Sequence, residues 1–214
     1  MSQNDQPKVA TEFLTTASFF DIYDQEDYFL NNKLLKGEFI EGEKIRHPIF
    51  EQVVFDHETF SNCDFDKIEL SDVVFKNCDL SNCLLTEASL FRVKFQNCKM
   101  MGTSLDQSYF HNVEFSNCLM DLANLNQANF KSVKFDATSL KDVSFNENKL
   151  QRVVFNNCDL NKMLILRTKL NGIDFNNSHF ETIEVDEAAI KGLKVNPEQA
   201  NFLAEYFLGV KVNY

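Results

Sequence analysis

The sequence is poor in glycine and proline and rich in phenylalanine. Six Gly and three Pro among 214 residues exclude a collagen-like chain and argue against a disordered chain rich in these two residues. An apolar content of 44% and 22 Phe residues are instead typical of a chain that buries a core. The length predicts one folded domain with small appendages.

Positive charge is also scarce, because 21 Lys and Arg residues stand against 32 Asp and Glu residues, a formal net charge of −11. Direct binding to nucleic acid or to an anionic membrane is disfavoured, since both require a cationic surface. No apolar segment is long enough to span a membrane, and the N-terminus has no basic segment followed by an apolar one. We expect a soluble, cytoplasmic protein with basic protein partners.

The motifs of common enzyme classes are missing. HExxH, GxGxxG, GxSxG and the phosphate-binding P-loop pattern do not occur, and the serine and aspartate positions do not follow the spacing of a catalytic triad. We therefore expect no enzymatic activity, no metal or other cofactor and no small-molecule substrate.

A large apolar residue occupies every fifth position from Phe50 to Val195 without a break. Two residues before each of them lies a smaller side chain, with Glu58 and Asn148 as the clear exceptions, and the other three positions are mostly polar. A period of five fits neither the 3.6 residues of a helix nor the two residues of a strand. Each unit must therefore turn a corner, with its large residue (position i) and position i−2 pointing inward.

A second period of twenty residues lies on top of the first. The large residue is Phe in seven units with this spacing: Phe55, Phe75, Phe95, Phe115, Phe135, Phe155 and Phe175. Four units therefore form one coil, and coils stack through backbone hydrogen bonds. We predict an all-β fold, a right-handed quadrilateral parallel β-helix over residues 30–195, cleanest over 53–192, with a short C-terminal α-helix. Its four sides are named here after Phe55, Phe60, Phe65 and Leu70.

All six cysteines occupy the inward position i−2: Cys63, Cys78, Cys83, Cys98, Cys118 and Cys158. The five-residue step from Cys78 to Cys83 is therefore the length of the repeat, and we expect buried thiols instead of a metal or redox site. The four His residues fall on different sides and coils of the predicted fold, so they are not expected to converge within one subunit.

Both ends of the chain differ from the repeat. We expect residues 1–29 to form an N-terminal cap or a partly disordered segment. Residues 196–214 predict a helix and tail, with Asn196 as N-cap, Gln199 at the capping-box position and Gly209 as the stop. One apolar stripe, Ala200, Leu203, Ala204 and Phe207, is expected to seal the last coil. The wider apolar surface predicts a homodimer interface made by Phe202, Leu203, Tyr206, Phe207 and Leu208. A cap that lies entirely within one chain is the alternative.

Charge is unevenly distributed over the four predicted sides. Over residues 53–192 the Phe60 side sums to −3 and the Phe65 side to −6, whereas the Phe55 side sums to −1 and the Leu70 side to +4. The expected partner-binding residues are outward carboxylates of the two acidic sides: Asp64, Asp66, Asp79, Glu87, Asp106, Asp121, Glu147, Asp159, Glu184, Asp186 and Glu187. Solvated charges that keep a rod soluble are the simple interpretation. The functional interpretation is an anionic stripe that attracts a DNA-binding protein.

The five-residue units resemble those of pentapeptide repeat proteins, whose consensus A(D/N)LXX is met by "ANLNQ" (123–127), "ANFKS" (128–132) and "CDLSN" (78–82). The stretches "GEFIEGEKI" (37–45) and "GLKVNPEQANFLAEYFLGVKVNY" (192–214) are similar to the entry and exit of the quinolone-resistance group, the Qnr and MfpA type. This resemblance implies a dimer through C-terminal helices that mimics duplex DNA, binds DNA gyrase and topoisomerase IV, and lowers fluoroquinolone susceptibility.

One departure from the Qnr pattern keeps a second hypothesis open. Many Qnr proteins carry loops that interrupt the rod and take part in protecting gyrase, whereas this repeat runs without interruption. Drug protection that depends on such loops is therefore in doubt, while competition with DNA is not. The alternative is a structural or scaffold protein whose rod docks an unrelated partner.

Overall fold

The computed structural model describes residues 6–211, which form a parallel β-solenoid of about nine turns followed by one short α-helix. The predicted fold class is confirmed. Two 3-10 helices, Thr11–Phe13 and Phe19–Asp24, lie near the N-terminus, and the C-terminal helix α1 spans Pro197–Leu208. The strands are β1 (Thr15–Thr16), β2 (Phe29–Asn31), β3 (Lys33–Lys36), β4 (Phe39–Glu41), β5 (Ile49–Glu51), β6 (Val54–Asp56), β7 (Thr59–Ser61), β8 (Glu69–Lys76), β9 (Ser89–Gln96), β10 (Tyr109–Ser116), β11 (Asn129–Asp136), β12 (Lys149–Asn156), β13 (Met163–Ile165) and β14 (Ile183–Val185).

The four sides of the rod are built in two ways. β8 to β12 each cover the Leu70 side, the corner and the Phe55 side, and they pair in parallel in chain order. The Phe60 and Phe65 sides are joined mainly by single bridges between coils, such as Asp79↔Lys99 and Leu84↔Ser104. The two acidic sides therefore have only short stretches of strand pairing, and they share a corner.

The register between coils is twenty residues throughout these ladders. Phe75 pairs with Phe95, and Phe95 with Phe115. The rings of this column are stacked within 5–8° at centroid distances of 4.5–5.0 Å from Phe55 to Phe155. Full burial of each ring stabilises the rod by about 2–3 kcal/mol.

The outer corners require an unusual backbone. At all 29 positions i+2 from Asn32 to Gly172 the φ angle is positive, between 48° and 78°. This left-handed region suits Gly and is tolerated by Asn and Asp, which explains why these residues are frequent at the corners. The repeat thus specifies its turns as well as its core.

Inward polar side chains bond the backbone of the preceding coil. The Cys78 thiol donates to the Phe55 carbonyl at 3.4 Å, and Thr103 Oγ1 donates to the Leu80 carbonyl at 2.8 Å, in each case 23 residues earlier. All six cysteines are buried and free of disulfides, and burial raises the pKa of Cys158 to about 11. The thiols are buried, as the sequence predicts, and they also donate weak hydrogen bonds to backbone carbonyls.

The N-terminal end of the rod is covered by the second 3-10 helix. Phe19 and Ile22 of this helix are fully buried. The Phe19 ring lies 5.6 Å from the rings of Phe60 and Phe65. Ser18 caps the helix in a capping box with Asp21. The apolar side chains of the first coil therefore do not end in solvent.

The C-terminal helix has the predicted caps, because Asn196 and Gln199 form a capping box and Gly209 is left-handed at φ 64°. Its buried stripe differs from the expected one. Ala200 is exposed, whereas Gln199 is buried and its Nε2 donates to the carbonyls of Phe175 and Ser178 at 3.2 and 2.8 Å. Gln199 was expected only as a capping residue, yet it also fastens the helix to the last coil.

The last two coils depart from the ideal rod in a way that the sequence did not indicate. Within the described chain, no backbone hydrogen bond joins β12 to residues 169–177, so the ladder opens on the Leu70 and Phe55 sides. The ring of Phe175 is turned 83° to that of Phe155. Further on, Ala189 is buried in place of Ala188, the residue that the repeat predicts to point inward.

Candidate protein-binding surface

The eleven expected carboxylates lie at outward positions of the Phe60 and Phe65 sides, and each is at least partly exposed. The inward neighbours at i and i−2 force this direction, since successive side chains alternate across each short strand. The two sides meet along one edge of the rod, so the carboxylates form one continuous surface. We call it the acidic surface.

Six of the eleven carboxylates take part in ion pairs, most of them between adjacent coils. Glu87 contacts Lys67 at 3.1 Å, and Lys141 lies between Asp121 and Asp159 at 4.0 and 3.7 Å. Asp66 pairs with Arg46 and Asp79 with Lys99. Such exposed pairs contribute only about 0–1 kcal/mol each, but they fix the positions of the carboxylates.

The sixth pair joins Glu147 to Arg167, whose guanidinium donates two hydrogen bonds to Glu147 Oε1. These bonds and the nearby positive charge hold the pKa of Glu147 below its ordinary value. Glu147 therefore stays ionised at neutral pH.

The remaining five carboxylates have no cationic partner among residues 6–211. Asp106 accepts hydrogen bonds from the backbone and side chain of Asn126 at 2.8 and 2.9 Å. Asp186 accepts from the backbone N–H of Arg167. Asp64, Glu184 and Glu187 complete this group. Since two of these three, together with the exposed Glu181, lie in the last turn, the least neutralised part of the acidic surface adjoins helix α1.

The Leu70 side, which lies opposite the Phe60 side and adjoins the Phe65 side, has the reverse character. Five exposed cations of the Leu70 side form no ion pair within the described residues: Lys131, Lys149, Arg152, Lys169 and Lys191. The rod therefore carries an excess of negative charge on the Phe60 and Phe65 sides and an excess of positive charge on the Leu70 side. This separation agrees with the side-by-side sums of the sequence.

Exposed apolar residues within the acidic surface were missed by the sequence analysis. Met101, Leu119 and Leu122 of the Phe60 side are 40%, 44% and 59% exposed, and Leu84 of the Phe65 side is 46% exposed. The repeat directs these positions to solvent, where most residues are polar, and the charge sums of the four sides do not register apolar ones. Only a residue-by-residue reading of the outward positions could have found them.

The expected dimer residues of helix α1 separate into two groups. Leu203 is buried, and Phe202 packs edge-to-face on the ring of Phe180 at 5.9 Å, so both attach the helix to its own rod. Tyr206 and Leu208 are 50% and 72% exposed, and Phe207 is half-buried between them. The outer end of the helix thus carries apolar surface that its own chain leaves open.

Two other kinds of feature are absent from residues 6–211. No group of three or more His, Cys, Asp or Glu side chains there could hold a metal ion. None of the helices in this part of the chain has the length and apolar character needed to cross a membrane.

Comparison with known proteins identifies the repeat. A family model for the pentapeptide repeat region matches residues 88–165, and one for the SV2A/B/C luminal domain matches residues 22–105. No curated protein matches the chain.

Two solved structures are similar to this one. HetL, a pentapeptide repeat protein involved in heterocyst differentiation regulation from the cyanobacterium Nostoc, has a TM-score of 0.52 and 15% identity over 78% of this chain and 85% of its own. Full-length QnrB1, a plasmid-mediated fluoroquinolone resistance protein, has a TM-score of 0.44 and 21% identity over 83% of this chain and 100% of its own. The family match thus identifies a pentapeptide repeat region at residues 88–165, and the likeness to HetL shows that the two chains share a fold.

Proposed function

We propose that this protein binds the type II topoisomerases DNA gyrase and topoisomerase IV in place of duplex DNA, and thereby lowers susceptibility to fluoroquinolones. The observation that carries the proposal is the concentration of carboxylates on two adjacent sides of a narrow rod. A protein that binds duplex DNA presents a cationic channel, and a straight anionic surface fits such a channel by charge. The activity is binding, without catalysis.

Fixed carboxylates support this role. The ion pairs of Glu87, Asp121 and Glu147 hold acidic groups in columns that follow the rod axis. A rigid anionic surface binds without a large cost for ordering side chains. The partners work on DNA inside the cell, so the protein is expected in the cytoplasm.

A homodimer through helix α1 extends the proposal. Tyr206, Phe207 and Leu208 present apolar surface at the end of the rod, and two such ends brought together would bury it in a symmetric contact. The dimer would double the length of the anionic rod. It would also place Glu184 and Glu187 of both copies near its centre.

A supercoiling assay tests the proposal. Purified protein titrated into gyrase is expected to inhibit supercoiling and to reduce the DNA cleavage that a fluoroquinolone induces. Absence of both effects up to tens of micromolar would eliminate the proposal.

A variant with four carboxylates replaced by amides distinguishes the proposed function from the scaffold hypothesis. Asp64→Asn, Asp66→Asn, Asp106→Asn and Glu147→Gln together remove four negative charges and keep the side-chain volumes. Topoisomerase binding through the acidic surface predicts a large loss of inhibition, whereas a scaffold that docks an unrelated partner predicts no change.

A further inference from the structure

Leu122 occupies a corner that disfavours it twice. Its φ angle is 63°, in the left-handed region that large side chains rarely adopt, and its side chain is 59% exposed. Among the 29 corners from Asn32 to Gly172 it is the only large apolar residue. The corners before and after it in the same column are Gly102 and Asp142. Leucine is therefore an unfavourable residue for the backbone of this corner.

Two further exposed apolar side chains lie on the Phe60 side, in the coil of Leu122 and in the coil before it. Met101 is one coil before Leu122, and Leu119 shares its coil and forms a bridge with Lys99. The residues next to them in their columns are polar: Met101 lies between Ser81 and Asp121, and Leu119 lies between Lys99 and Ser139. Three outward positions that the repeat fills with polar residues thus carry large apolar ones together. We call these three residues the apolar patch.

Carboxylates surround the apolar patch. Asp121 lies between Leu119 and Leu122 in the chain, and its Oδ1 accepts a hydrogen bond from Ser139 Oγ at 2.5 Å. Asp79 lies two coils before Asp121, and the exposed Asp142 is one coil beyond Leu122. Lys99 and Lys141 form ion pairs with Asp79 and Asp121, whereas Asp142 forms no ion pair with any residue from 6 to 211. Apolar and acidic side chains therefore alternate on this part of the rod.

We propose that the apolar patch of Met101, Leu119 and Leu122 docks an apolar side chain of a basic protein segment, with lysines or arginines of that segment meeting the surrounding carboxylates. Large apolar side chains that leave water carry much of the binding energy of a protein interface, and charged neighbours contribute specificity. This inference rests on the proposed function and deepens it. A duplex offers charge alone, so the patch would give the protein an attachment that DNA itself does not make.

Substitutions by residues that occupy the same columns in other coils test the inference and should preserve the fold. Met101→Ser, Leu119→Ser and Leu122→Asn replace each residue by one that its own column carries elsewhere, namely Ser81, Ser139 and Asn82. Because Asn suits the left-handed corner better than Leu, the melting temperature of the triple variant is expected to stay unchanged or to rise. Its affinity for gyrase is expected to fall about tenfold or more.

Two control variants define what the loss means. Tyr109→Asn removes a 61% exposed ring from the opposite Leu70 side, and its column carries Asn129, so binding should not change. Asp121→Asn removes the charge between Leu119 and Leu122, so it should weaken binding mainly at low salt. The triple variant should instead weaken binding at all salt concentrations and leave the salt dependence as in the wild type.

Gyrase affinity measured by surface plasmon resonance at several salt concentrations separates the outcomes. Equal affinity of the wild type and the triple variant would overturn the inference while leaving the proposed function intact. Equal losses in the triple variant and in Tyr109→Asn would also overturn it. A wild type that does not bind gyrase would refute the proposed function and this inference with it.

Discussion

At the scale of single residues, Glu58 departs most from the repeat. It occupies an inward i−2 position, is fully buried, and accepts the N–H of Glu38 at Oε2 while its Oε1 has no partner. Asn148, the other exception to the pattern, uses both ends of its amide, with Oδ1 accepting from Ala128 N and Nδ2 donating to the Leu125 carbonyl. A neutral carboxylic acid could donate in the same way, and an ionised one could not.

Burial and the neighbouring Glu38 carboxylate raise the pKa of Glu58 from 4.5 to about 7. A carboxyl whose pKa is raised by folding stabilises the fold while it is neutral. This stability is complete below pH 4.5 and is lost as the pH rises through 7. The loss is on the order of 3 kcal/mol, since one pKa unit corresponds to about 1.4 kcal/mol.

Glu58→Gln is expected to remove this loss, because glutamine can donate and accept as Asn148 does. Urea unfolding between about pH 5 and 8.5 measures the free energy of unfolding on both sides of the folded pKa. Asn148→Asp is the matched control, and it should introduce a pH dependence of the same sign in the middle of the rod. Parallel stability curves for the wild type and Glu58→Gln would contradict this account of Glu58.

The stacked Phe column makes a second prediction at this scale. Phe115 is fully buried between Phe95 and Phe135 at centroid distances of 4.9 and 5.0 Å. Phe115→Ala is expected to lower the free energy of unfolding by about 3–5 kcal/mol, through lost burial and the cavity left behind. Chemical unfolding checks this value. Tyr109→Ala, at an exposed site, should change it by less than about 1 kcal/mol; similar losses for both variants would speak against a core held by the Phe column.

At the scale of elements, the coils were predictable and their imperfections were not. Inward columns, corner residues and the caps of α1 follow from side-chain size and local hydrogen bonding, which the sequence displays. The opening between β12 and the next coil has no such signal, because the apolar columns continue through Phe175. The burial of Ala189 instead of Ala188 could not be predicted either, because the two residues have the same side chain.

The exposed end of helix α1 gives the prediction for this scale. Tyr206→Glu with Leu208→Glu places charge on the surface proposed to join two copies, so light scattering should show monomers where the wild type shows dimers. Both side chains lie outside the core, and the melting temperature of each isolated rod should change little. Phe13→Glu, at a 73% exposed site near the other end, is the control and should leave the dimer intact. A wild type that is monomeric at all concentrations would contradict the dimer.

At the scale of the whole molecule, the repeat makes the rod sensitive to the deletion of a residue and tolerant of conservative substitutions. Deleting Leu125 would shift every later inward residue by one position and turn both inward columns out of the core. We expect the deletion variant to be insoluble, whereas Leu125→Met, which conserves volume, should remain soluble and folded. Soluble expression of the deletion variant with an unchanged melting temperature would contradict the solenoid register.

The acidic surface was predictable because outward positions follow from the register and charge sums follow from composition. The apolar patch was not, since its meaning depends on the left-handed corner at Leu122 and on neighbours one coil away. Sequence periodicity predicts which side chains point inward and which point outward. It does not predict the left-handed backbone conformation that makes leucine unfavourable at position 122.

The central claim is that this rod takes the place of duplex DNA on a type II topoisomerase. Competition between the protein and a fluorescent duplex bound to gyrase tests it most directly, with the variant neutralised at Asp64, Asp66, Asp106 and Glu147 measured in parallel. The account predicts that the wild type displaces the duplex, more strongly at low salt, and that the variant displaces it poorly. A duplex that stays fully bound at saturating wild-type protein, or is displaced equally by both proteins, would contradict the account.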